Sequence, residues 1–530
     1  MNSATGIHVP SLDEAATFSP QQVVDQVRLL LAQNQEIQAL KHQLDWFKRQ
    51  VFGQKSERRI LDGAGGQMSL GEAITPEQSA VPPPAVERPV ATHTRKPATK
   101  KPDAGEDNLP FFDAARVPVE VIELAAPEAA GLAPEEFEVI GHKDSYRLAQ
   151  RPGSYVVLNY RRPVIKLKAT QAIACPSAPA GVLDGSRADV SFLAGLLIDK
   201  FAYHLPFYRQ HQRLTDAGIT VSRPWLTQLG QQGVALLEPI YDAQLASIRG
   251  SRVKAMDETP IKAGRAGPGK LKAAYFWPVY GELDEVCFPF FESRRAEHIE
   301  QALGLTHAEC AVLLSDGYGA YAHYANKTGL THAQCWAHTR RKLFEAQGAE
   351  PEAARGLELI GGLYAVEERI HSQKLRAARK LDARWMHAKP IVEQFFAWVN
   401  QQFEAQGLLP SNPLTQALAY ARERRAGLEV YLTDPDVPID TNHLERALRA
   451  IPMGRKNWLF SWTELGARHV GVMQSLIVTC RLHQIDPYDY LVDVLQRVGQ
   501  HPASRAHELT PRLWKQLFAS NPLRSALHSH

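Results

Sequence analysis

Two short apolar segments of this chain each end in an aspartate, and a later helical segment carries a glutamate. Asp257 follows residues 253–256, Asp316 follows residues 311–315, and Glu445 lies in a segment with a helical pattern. Acids that follow strands lie at a sheet edge, where ligands gather, and hard divalent cations prefer oxygen ligands. The sequence therefore predicts that these three carboxylates hold two Mg²⁺ (or Mn²⁺) ions over a phosphodiester.

The segments around the two aspartates predict the element order β-β-β-α-β. Strands are expected at residues 253–257, 273–280, 285–291 and 311–316, with a short helix from about Arg295. Acids after the first and fourth strands, followed by an acidic helix, form the arrangement of a ribonuclease-H-like catalytic core. We therefore expect this fold at the centre of a multidomain α/β protein.

The spacing of the acids predicts a core that is divided in two. The 129 residues between the second aspartate and the glutamate include a helical pattern at 346–435, which we interpret as an insertion. The core then occupies residues 251–345 and 436–482, and a small C-terminal segment covers residues 483–530.

The N-terminal part is expected to contain an oligomerising coiled coil. Residues 1–20 are predicted to be disordered, and residues 21–62 carry an imperfect heptad repeat. The alternative is a single amphipathic helix packed on the body of the protein; the coiled coil is favoured because a spacer follows it. The apolar positions at seven-residue steps are Val23, Leu30, Ile37, Leu44 and Val51.

A linker and a small β module are predicted next. Residues 63–110 form a Pro-rich basic linker, since residues 76–110 hold eight prolines and no periodic apolar pattern. Such a linker can track along DNA phosphates, and a plain solvated spacer is an equal alternative. Alternating β-branched residues predict a β module at 111–177. Its candidate DNA contacts are Arg161, Arg162 and Lys166.

Residues 178–250 are predicted to be helical and to contain a helix-turn-helix-like element. A helix from Phe207 is followed by a glycine-containing turn, and Pro224 stands near the start of a second helix that Ser222 is placed to cap. DNA binding through this element, with Arg223 as a contact, and an ordinary helical hairpin are equally open.

Composition limits the class of protein only broadly. The formal net charge is +3, so net charge alone does not indicate nucleic-acid binding. Five scattered cysteines without a C-x-x-C pair argue against a disulfide framework. The N-terminus has no signal-peptide pattern, and the longest apolar stretch, residues 192–198, is too short to span a bilayer. We therefore expect a soluble intracellular protein with no membrane contact.

Several motifs occur along the chain in a fixed order. They are Asp257-Glu-Thr-Pro, Ser315-Asp-Gly-Tyr-Gly-Ala-Tyr, Gln334-Cys-Trp-Ala-His-Thr-Arg-Arg-Lys-Leu-Phe, Asn442-His-Leu-Glu-Arg-Ala-Leu-Arg, Gly454-Arg-Lys-Asn-Trp-Leu-Phe-Ser-Trp, Ser475-Leu-Ile-Val-Thr-Cys and Asp486-Pro-Tyr-Asp-Tyr-Leu. With these motifs the chain resembles transposases of bacterial insertion-sequence family sixty-six. Because the motifs cover most of the chain in the correct order, the set is far more specific than any single motif.

The resemblance implies a DDE transposase whose catalytic, metal-binding triad is Asp257, Asp316 and Glu445. In this mechanism metal-activated water nicks the element's ends, and the freed 3′-hydroxyls attack target DNA. The implied partners are double-stranded DNA (terminal inverted repeats and target), at least one further copy of the chain, and small accessory proteins of the same element. The implied location is the bacterial cytoplasm, in association with the nucleoid. Two alternatives remain: a catalytically silent repressor that binds element ends, and a ribonuclease-H-like nuclease without strand transfer.

The chain departs from the family pattern in two places. Family members usually carry a cysteine-rich zinc module, whereas residues 111–176 retain only Cys175 and His142, too few for a tetrahedral site. We therefore expect a metal-free β module and no bound zinc. The family's Asp-Asn-Asn before the glutamate reads Asp440-Thr-Asn442 here, which leaves the carboxylates intact.

Residues near the triad are candidates for supporting roles. Cys335 and His338 form a C-x-x-H pair that either binds metal or supports the active site by packing; packing is favoured because no second ligand pair occurs. Asp440 is placed to cap the helix of the glutamate, Asn442 follows it, and Glu258 is a neighbour of the first aspartate. Basic residues that either hold phosphates or form a solvated face are Arg340, Arg341, Lys342, Arg446, Arg449, Arg455 and Lys456.

Three aromatic residues follow the helix of the glutamate. Trp458, Phe460 and Trp462 have the ring faces needed to stack on flipped bases near a cleavage point. Burial in an aromatic core is the alternative, and the sequence alone favours it.

Deletion of residues 1–62 tests the coiled coil. We expect the shortened chain to form smaller oligomers than the full chain, because the apolar heptad seam is lost. Light scattering during size-exclusion chromatography gives the mass of both chains at one concentration. An unchanged number of subunits would remove the coiled-coil interpretation, and circular dichroism checks that the shortened chain is folded.

Overall fold

The computed structural model describes residues 111–528, apart from residues 116, 152, 268, 349 and 406–409. All of them belong to the compact unit Lys100–His530. The predicted coiled coil and Pro-rich linker lie outside the described residues.

The first part of the described chain is a four-stranded sheet built around one long hairpin. Its strands are β1 (Val119–Glu123), β2 (Phe137–Arg151), β3 (Ser154–Leu167) and β4 (Ile173–Ala174). β3 lies between β1, which is parallel to it, and β2, which is antiparallel to it, and β4 pairs with the end of β3. The tight turn between β2 and β3 holds Gly153 at a φ of +82°, which glycine adopts without steric strain.

Three helices follow the β module, and side chains cap the first and the third of them. They are α1 (Val190–Phe201), α2 (Phe207–Asp216) and α3 (Arg223–Gly250). The turn between α2 and α3 contains Gly218 at a φ of +87°. Ser222 caps α3 as predicted, since its side chain accepts the N–H of Trp225 (3.2 Å). The C-terminal part of α3 then packs on the central sheet.

Eight further strands form two sheets. They are β5 (Val253–Met256), β6 (Thr259–Gly267), β7 (Lys270–Phe276), β8 (Val279–Gly281), β9 (Glu285–Cys287), β10 (Phe290–Phe291), β11 (Val312–Ser315) and β12 (Thr331–Gln334). The central sheet has the order β12-β11-β5-β8-β9, and the second sheet has the order β10-β7-β6. β5, β11 and β12 are parallel neighbours, whereas β8 and β9 run antiparallel. Every residue of β5 and β11 is buried, as is typical of parallel strands, and the buried residues of β5 include Lys254.

The strand pattern predicted from sequence is wrong in detail. The single strand expected at 273–280 is divided between β7 and β8, and the one expected at 285–291 is divided between β9 and β10. Each division falls at a proline, Pro278 or Pro289, because proline has no N–H to continue the ladder. The strands β6 and β12 were not expected at all.

A long helical segment separates the two halves of the central region. It begins after α4 (Glu297–Leu303) and α5 (Gly319–Thr328). Its helices are α6 (Trp336–Gln347), α7 (Ala353–Ser372), α8 (Ala377–Ala383), a π-helical turn (Arg384–Ala388), α9 (Lys389–Ala405), α10 (Pro413–Glu423) and α11 (Arg425–Glu429). Two Trp–Phe ring contacts join α6 to α9.

The segment that leads back to the central region is anchored by one buried cation. Arg384 is fully buried, and its guanidinium donates to both carboxylate oxygens of Glu367 (2.8 and 2.9 Å). It also donates to the carbonyls of Tyr431 (2.7 Å), Asp434 (3.1 Å) and Val437 (3.0 Å). One side chain of the π-helical turn therefore fixes the path of residues 431–437.

The last helices complete the core. They are α12 (Asn442–Leu448), α13 (Ala450–Trp458), α14 (Glu464–Leu482), α15 (Pro487–Arg497) and α16 (Pro511–Leu517). α14 is largely buried and packs against α3 and β9. At Gly471 a Cβ would stand 2.3 Å from the carbonyl oxygen of Phe288, so α14 needs glycine at this close approach. In the part of the chain that the structure describes, no helix combines the length and apolarity needed to cross a membrane.

Arg384→Ala should lower the free energy of unfolding by about 3–5 kcal/mol, because it leaves the Glu367 carboxylate without its buried partner. The control is Arg355→Ala, which removes an exposed pair with Glu358 (2.6 Å) and should change stability by less than about 1 kcal/mol. Urea unfolding followed by circular dichroism measures both. Equal effects of the two substitutions would contradict the anchoring role.

Candidate active site

Two of the predicted acids meet at one edge of the central sheet. Asp257 follows β5 and Asp316 follows β11, and these strands are parallel neighbours, so their carboxyl ends lie side by side. Asp257 accepts the N–H of Glu258 (2.8 Å), and Asp316 accepts the N–H of Tyr318 (2.9 Å). Backbone donors therefore hold each carboxylate in place.

Glu445 reaches the same region from α12, whose start is fixed by the helical segment. Buried Cys335 accepts hydrogen bonds from the backbone N–H (3.3 Å) and the hydroxyl (3.2 Å) of Thr441. Asp440 accepts the N–H of Asn442 (3.0 Å) and the hydroxyl of Tyr364 (2.8 Å). Cys335, Asp440 and Asn442 thus act on the position of the helix that carries Glu445.

The three acids line one open cavity of about 890 Å³. Several of the predicted supporting and basic residues line it with them. Those residues are His338, Arg341, Lys342, Asn442, Arg446 and Arg449. The lining of the cavity therefore combines carboxylates with cations. This is the charge pattern expected for a site that binds a metal ion and a phosphate group together.

Burial and like charges raise the pKa of Asp257 to about 7. Desolvation is the largest cause, and the carboxylates of Glu258, Asp316 and Glu445 raise it further. The hydrogen bond from the N–H of Glu258 acts in the opposite direction. At neutral pH this carboxyl group is balanced between its protonated and ionised forms.

His338 faces Glu445 across the cavity. Its Nε2 lies 3.9 Å from Oε1 of Glu445, and its Nδ1 is buried. Desolvation lowers the pKa of His338, although the charges of Asp316 and Glu445 oppose this. The contact at neutral pH is therefore between a neutral imidazole and a carboxylate. The structure places this residue in the lining of the cavity.

Arg294 lines the cavity and has no motif that would identify it in the sequence. Its guanidinium is held by Glu258, with Nε 2.7 Å from Oε1, and stacks 4.4 Å from the ring centroid of Tyr318. Glu258 is almost fully buried and also accepts the hydroxyl of Tyr321 (2.6 Å). Glu258 therefore holds the guanidinium of Arg294 in the lining of the cavity.

The helical segment also contacts the residue that follows Asp316. Arg424 donates to the carbonyl of Gly317 (3.1 Å) and stacks 3.9 Å from the ring centroid of Tyr420, which lines the cavity. A Cβ at Gly317 would stand 2.6 Å from Nε of Arg424 and 2.7 Å from the Tyr420 hydroxyl. A side chain in place of the glycine after the aspartate would therefore displace Arg424 or Tyr420.

Comparison with known proteins places the chain in a family. "Transposase IS66 family" matches residues 185–469, more than half of the chain, and "IS66 C-terminal element" matches residues 475–512. The chain belongs to the IS66 family of transposases. A further match, "Transposase C of IS166 homeodomain", covers residues 39–110, which suggests DNA binding by a region outside the described residues.

The transposase is also similar to three curated proteins of Sinorhizobium fredii (strain NBRC 101917 / NGR234). It is 28% identical to uncharacterized protein y4hP over 523 residues, which covers 92% of this chain and 91% of that relative. It is 28% identical to uncharacterized protein y4jD over 496 residues, covering 90% and 94%. It is 31% identical to uncharacterized protein y4qI over 414 residues, covering 74% of each.

The other basic residues predicted from the transposase sequence do not line the cavity. In the β module, Arg161 lies 3.4 Å from Asp144 and Arg162 donates to the carbonyl of Pro176 (3.2 Å). Arg223 at the start of α3 stacks 4.6 Å from the ring centroid of Tyr208. Three of the remaining four are exposed or partly exposed on α6 and α13: Arg340, Arg455 and Lys456. Lys166 lies on β3 and is partly exposed.

The burial predicted for the three aromatic residues is wrong for Trp462. It exposes 57% of its surface, whereas Trp458 and Phe460 are half-buried. Hydrophobicity favours a core position in general, but the chain turns outward at this point.

The candidate metal ligands of the transposase are carboxylate oxygens, the type of donor that Mg²⁺ prefers. Among residues 111–528, with the gaps given above, no group of three or more His, Cys, Asp or Glu side chains is close enough together to hold a metal ion. The three carboxylates nevertheless offer the oxygen ligands that Mg²⁺ prefers, and Asp257 is a buried carboxyl surrounded by like charges.

Asp257→Asn should stabilise the metal-free transposase above pH 4, by an amount that grows up to about pH 7. The pKa of Asp257 is about 7 in the folded state, whereas the ordinary pKa of an aspartate side chain is 3.8. The folded state therefore keeps a proton that the unfolded chain has released, and wild-type stability falls as pH rises through this window. Above about pH 7 the free energy of unfolding of Asp257→Asn should exceed that of wild type by about 4 kcal/mol. The reason is that Asn has no charge to desolvate.

Thermal unfolding in the presence of a chelator, from pH 4 to pH 8, measures this effect. The control is Glu358→Gln, which changes a carboxylate that is 70% exposed on α7 and should leave the profile unaltered. A constant difference between wild type and Asp257→Asn across the range would contradict a buried, titrating carboxyl group.

Proposed function

We propose that this transposase cuts and joins DNA by the DDE mechanism, with Asp257, Asp316 and Glu445 as its catalytic, metal-binding residues. The observation that carries the proposal is that three acids from distant parts of the chain line one cavity whose wall is basic. Mg²⁺ (or Mn²⁺), two ions per site, is the proposed cofactor.

The proposed fold of the catalytic region is ribonuclease-H-like. Its support is the central sheet, in which β5 and β11 stand for the first and fourth strands of such a core, lie side by side and are each followed by an aspartate. The antiparallel β8 and β9 extend the sheet on the other side of β5. The second sheet and the long helical segment are then additions to this core.

The side chains divide the proposed chemistry among themselves. The chemistry that two bound Mg²⁺ ions would supply is activation of the attacking oxygen and neutralisation of the leaving oxygen in an in-line displacement. Asp257, Asp316 and Glu445 are the carboxylates that would hold them. Four arginines on the wall bind DNA phosphates, for which the planar guanidinium is well suited. These are Arg294, Arg341, Arg446 and Arg449.

The proposed substrates are the terminal inverted repeats of the element and target DNA, both double-stranded. The helix-turn-helix-like pair α2–α3 and the basic residues of the β module are further candidate DNA contacts, with Arg223 and Arg161 as examples. A homo-oligomer, at least a dimer, fits the need to hold two element ends together, and accessory proteins of the same element remain proposed partners.

Asp316→Ala and Glu445→Ala should each reduce strand transfer by at least about 1,000-fold, because hard-cation sites need all their carboxylates. Binding of a labelled duplex that carries the terminal inverted repeat should stay within a few-fold of wild type. The assay follows nicking and joining to target DNA in Mg²⁺, and Glu358→Gln on α7 is the matched acidic control. Binding without any nicking would show a repressor, and cut ends that never join target would show a nuclease.

A further inference from the structure

The turn that ends α13 presents apolar side chains to solvent. We call residues 459–462 the tip. Leu459 exposes 64% and Trp462 exposes 57% of its surface, and Met453 on α13 exposes 53%. Large apolar groups clustered at the surface usually mark a contact with another molecule.

The backbone of the tip is strained. Leu459 has φ +61° and ψ −49°, and the N–H of Phe460 donates to the carbonyl of Trp458 (2.7 Å). This is the classic form of the γ-turn, which is rare and unfavourable for a residue with a side chain. Such strain persists only where the surroundings enforce it, and it concentrates at functional sites.

The surroundings fix the tip to strand β6. The N–H of Ser461 donates to the carbonyl of Lys262 (3.0 Å), and the N–H of Gly264 donates to the carbonyl of Ser461 (3.2 Å). Ser461 itself is buried, and Phe460 packs edge-on against Trp462 with ring centroids 4.9 Å apart. The tip is therefore held before any partner arrives, so binding costs little ordering entropy.

The tip is bordered by cations. Arg265 lies 5.5 Å from the ring centroid of Trp462, and Lys262 and Lys456 are exposed on β6 and α13. The nearby acid Glu464 is already paired with Lys272 (2.8 Å). An exposed aromatic ring between cations has the chemistry of a surface that stacks on bases while its cations contact the phosphate backbone.

The tip is close to the cavity along the chain. Pro452 lines the cavity, and Trp458 lies six residues further along α13, roughly 9 Å at 1.5 Å per residue. This length corresponds to about three base steps at 3.4 Å per step. DNA that is seated in the cavity and continues along α13 would therefore pass the tip within a few base pairs of the cavity.

We propose that the tip unstacks one base of the DNA within a few base pairs of the cavity, with Trp462 stacking on the displaced base. The inference rests on the proposed function, since it needs DNA in the cavity. A base displaced at this position loosens the duplex where a strand must bend into the carboxylates.

The test uses the full-length protein in chelator and a fluorescein-labelled duplex that carries the terminal inverted repeat. A single mismatch is moved through the base pairs around the cleavage point, since a mismatched base is easier to displace. Wild type should bind one mismatched duplex roughly tenfold more tightly than the matched duplex. Trp462→Ala should lose this preference, and Trp462→Phe should keep part of it.

Trp385→Ala is the matched control, because Trp385 is 55% exposed on the π-helical turn and should leave the preference intact. Unfolding temperatures of the variants should equal that of wild type, since both side chains are at the surface. Wild type that binds the matched duplex but prefers no mismatch would overturn the tip proposal alone. Absence of any duplex binding would overturn the proposed function as well.

Discussion

The parallel pairing of β5 with β11 is the constraint on which the site depends. It puts Asp257 and Asp316 at one sheet edge, where burial and nearby like charges oppose the ionised form of Asp257. Two short strands with every residue buried hold this edge, and backbone N–H groups hold each carboxylate. The fold thus maintains an arrangement of like charges that the side chains alone would avoid.

The long helical segment contributes to the site from three directions. Arg424 holds the carbonyl of Gly317 beside one aspartate, Tyr364 holds Asp440 before α12, and Arg384 holds the path of residues 431–437. Each contact acts on the backbone or on a neighbour of a triad residue. Movement of these helices would therefore shift residues next to Asp316 and Glu445, so the segment helps to position the lining of the candidate site.

The sequence predicts those parts of the site that depend on local pattern. Asp257 and Asp316 stand at the ends of apolar runs, and Ser222 precedes a helix that starts with proline, so their settings are visible in short windows. Arg294 and Tyr420 were missed, because their place in the cavity depends on contacts with residues far away in the chain. Pro278 and Pro289 lie inside two of the predicted strands, and because proline lacks an N–H their positions alone indicate where these strands divide.

Protons and the proposed divalent ions compete for the same buried carboxyl group. Because the pKa of Asp257 is about 7, a proton occupies it below that pH and relieves the repulsion from Glu258, Asp316 and Glu445. Metal binding requires the ionised form, so it releases this proton and weakens as pH falls. A bound cation then takes over the neutralising role of the proton. The same desolvation that destabilises the empty carboxylate cluster thereby favours the ions that complete it.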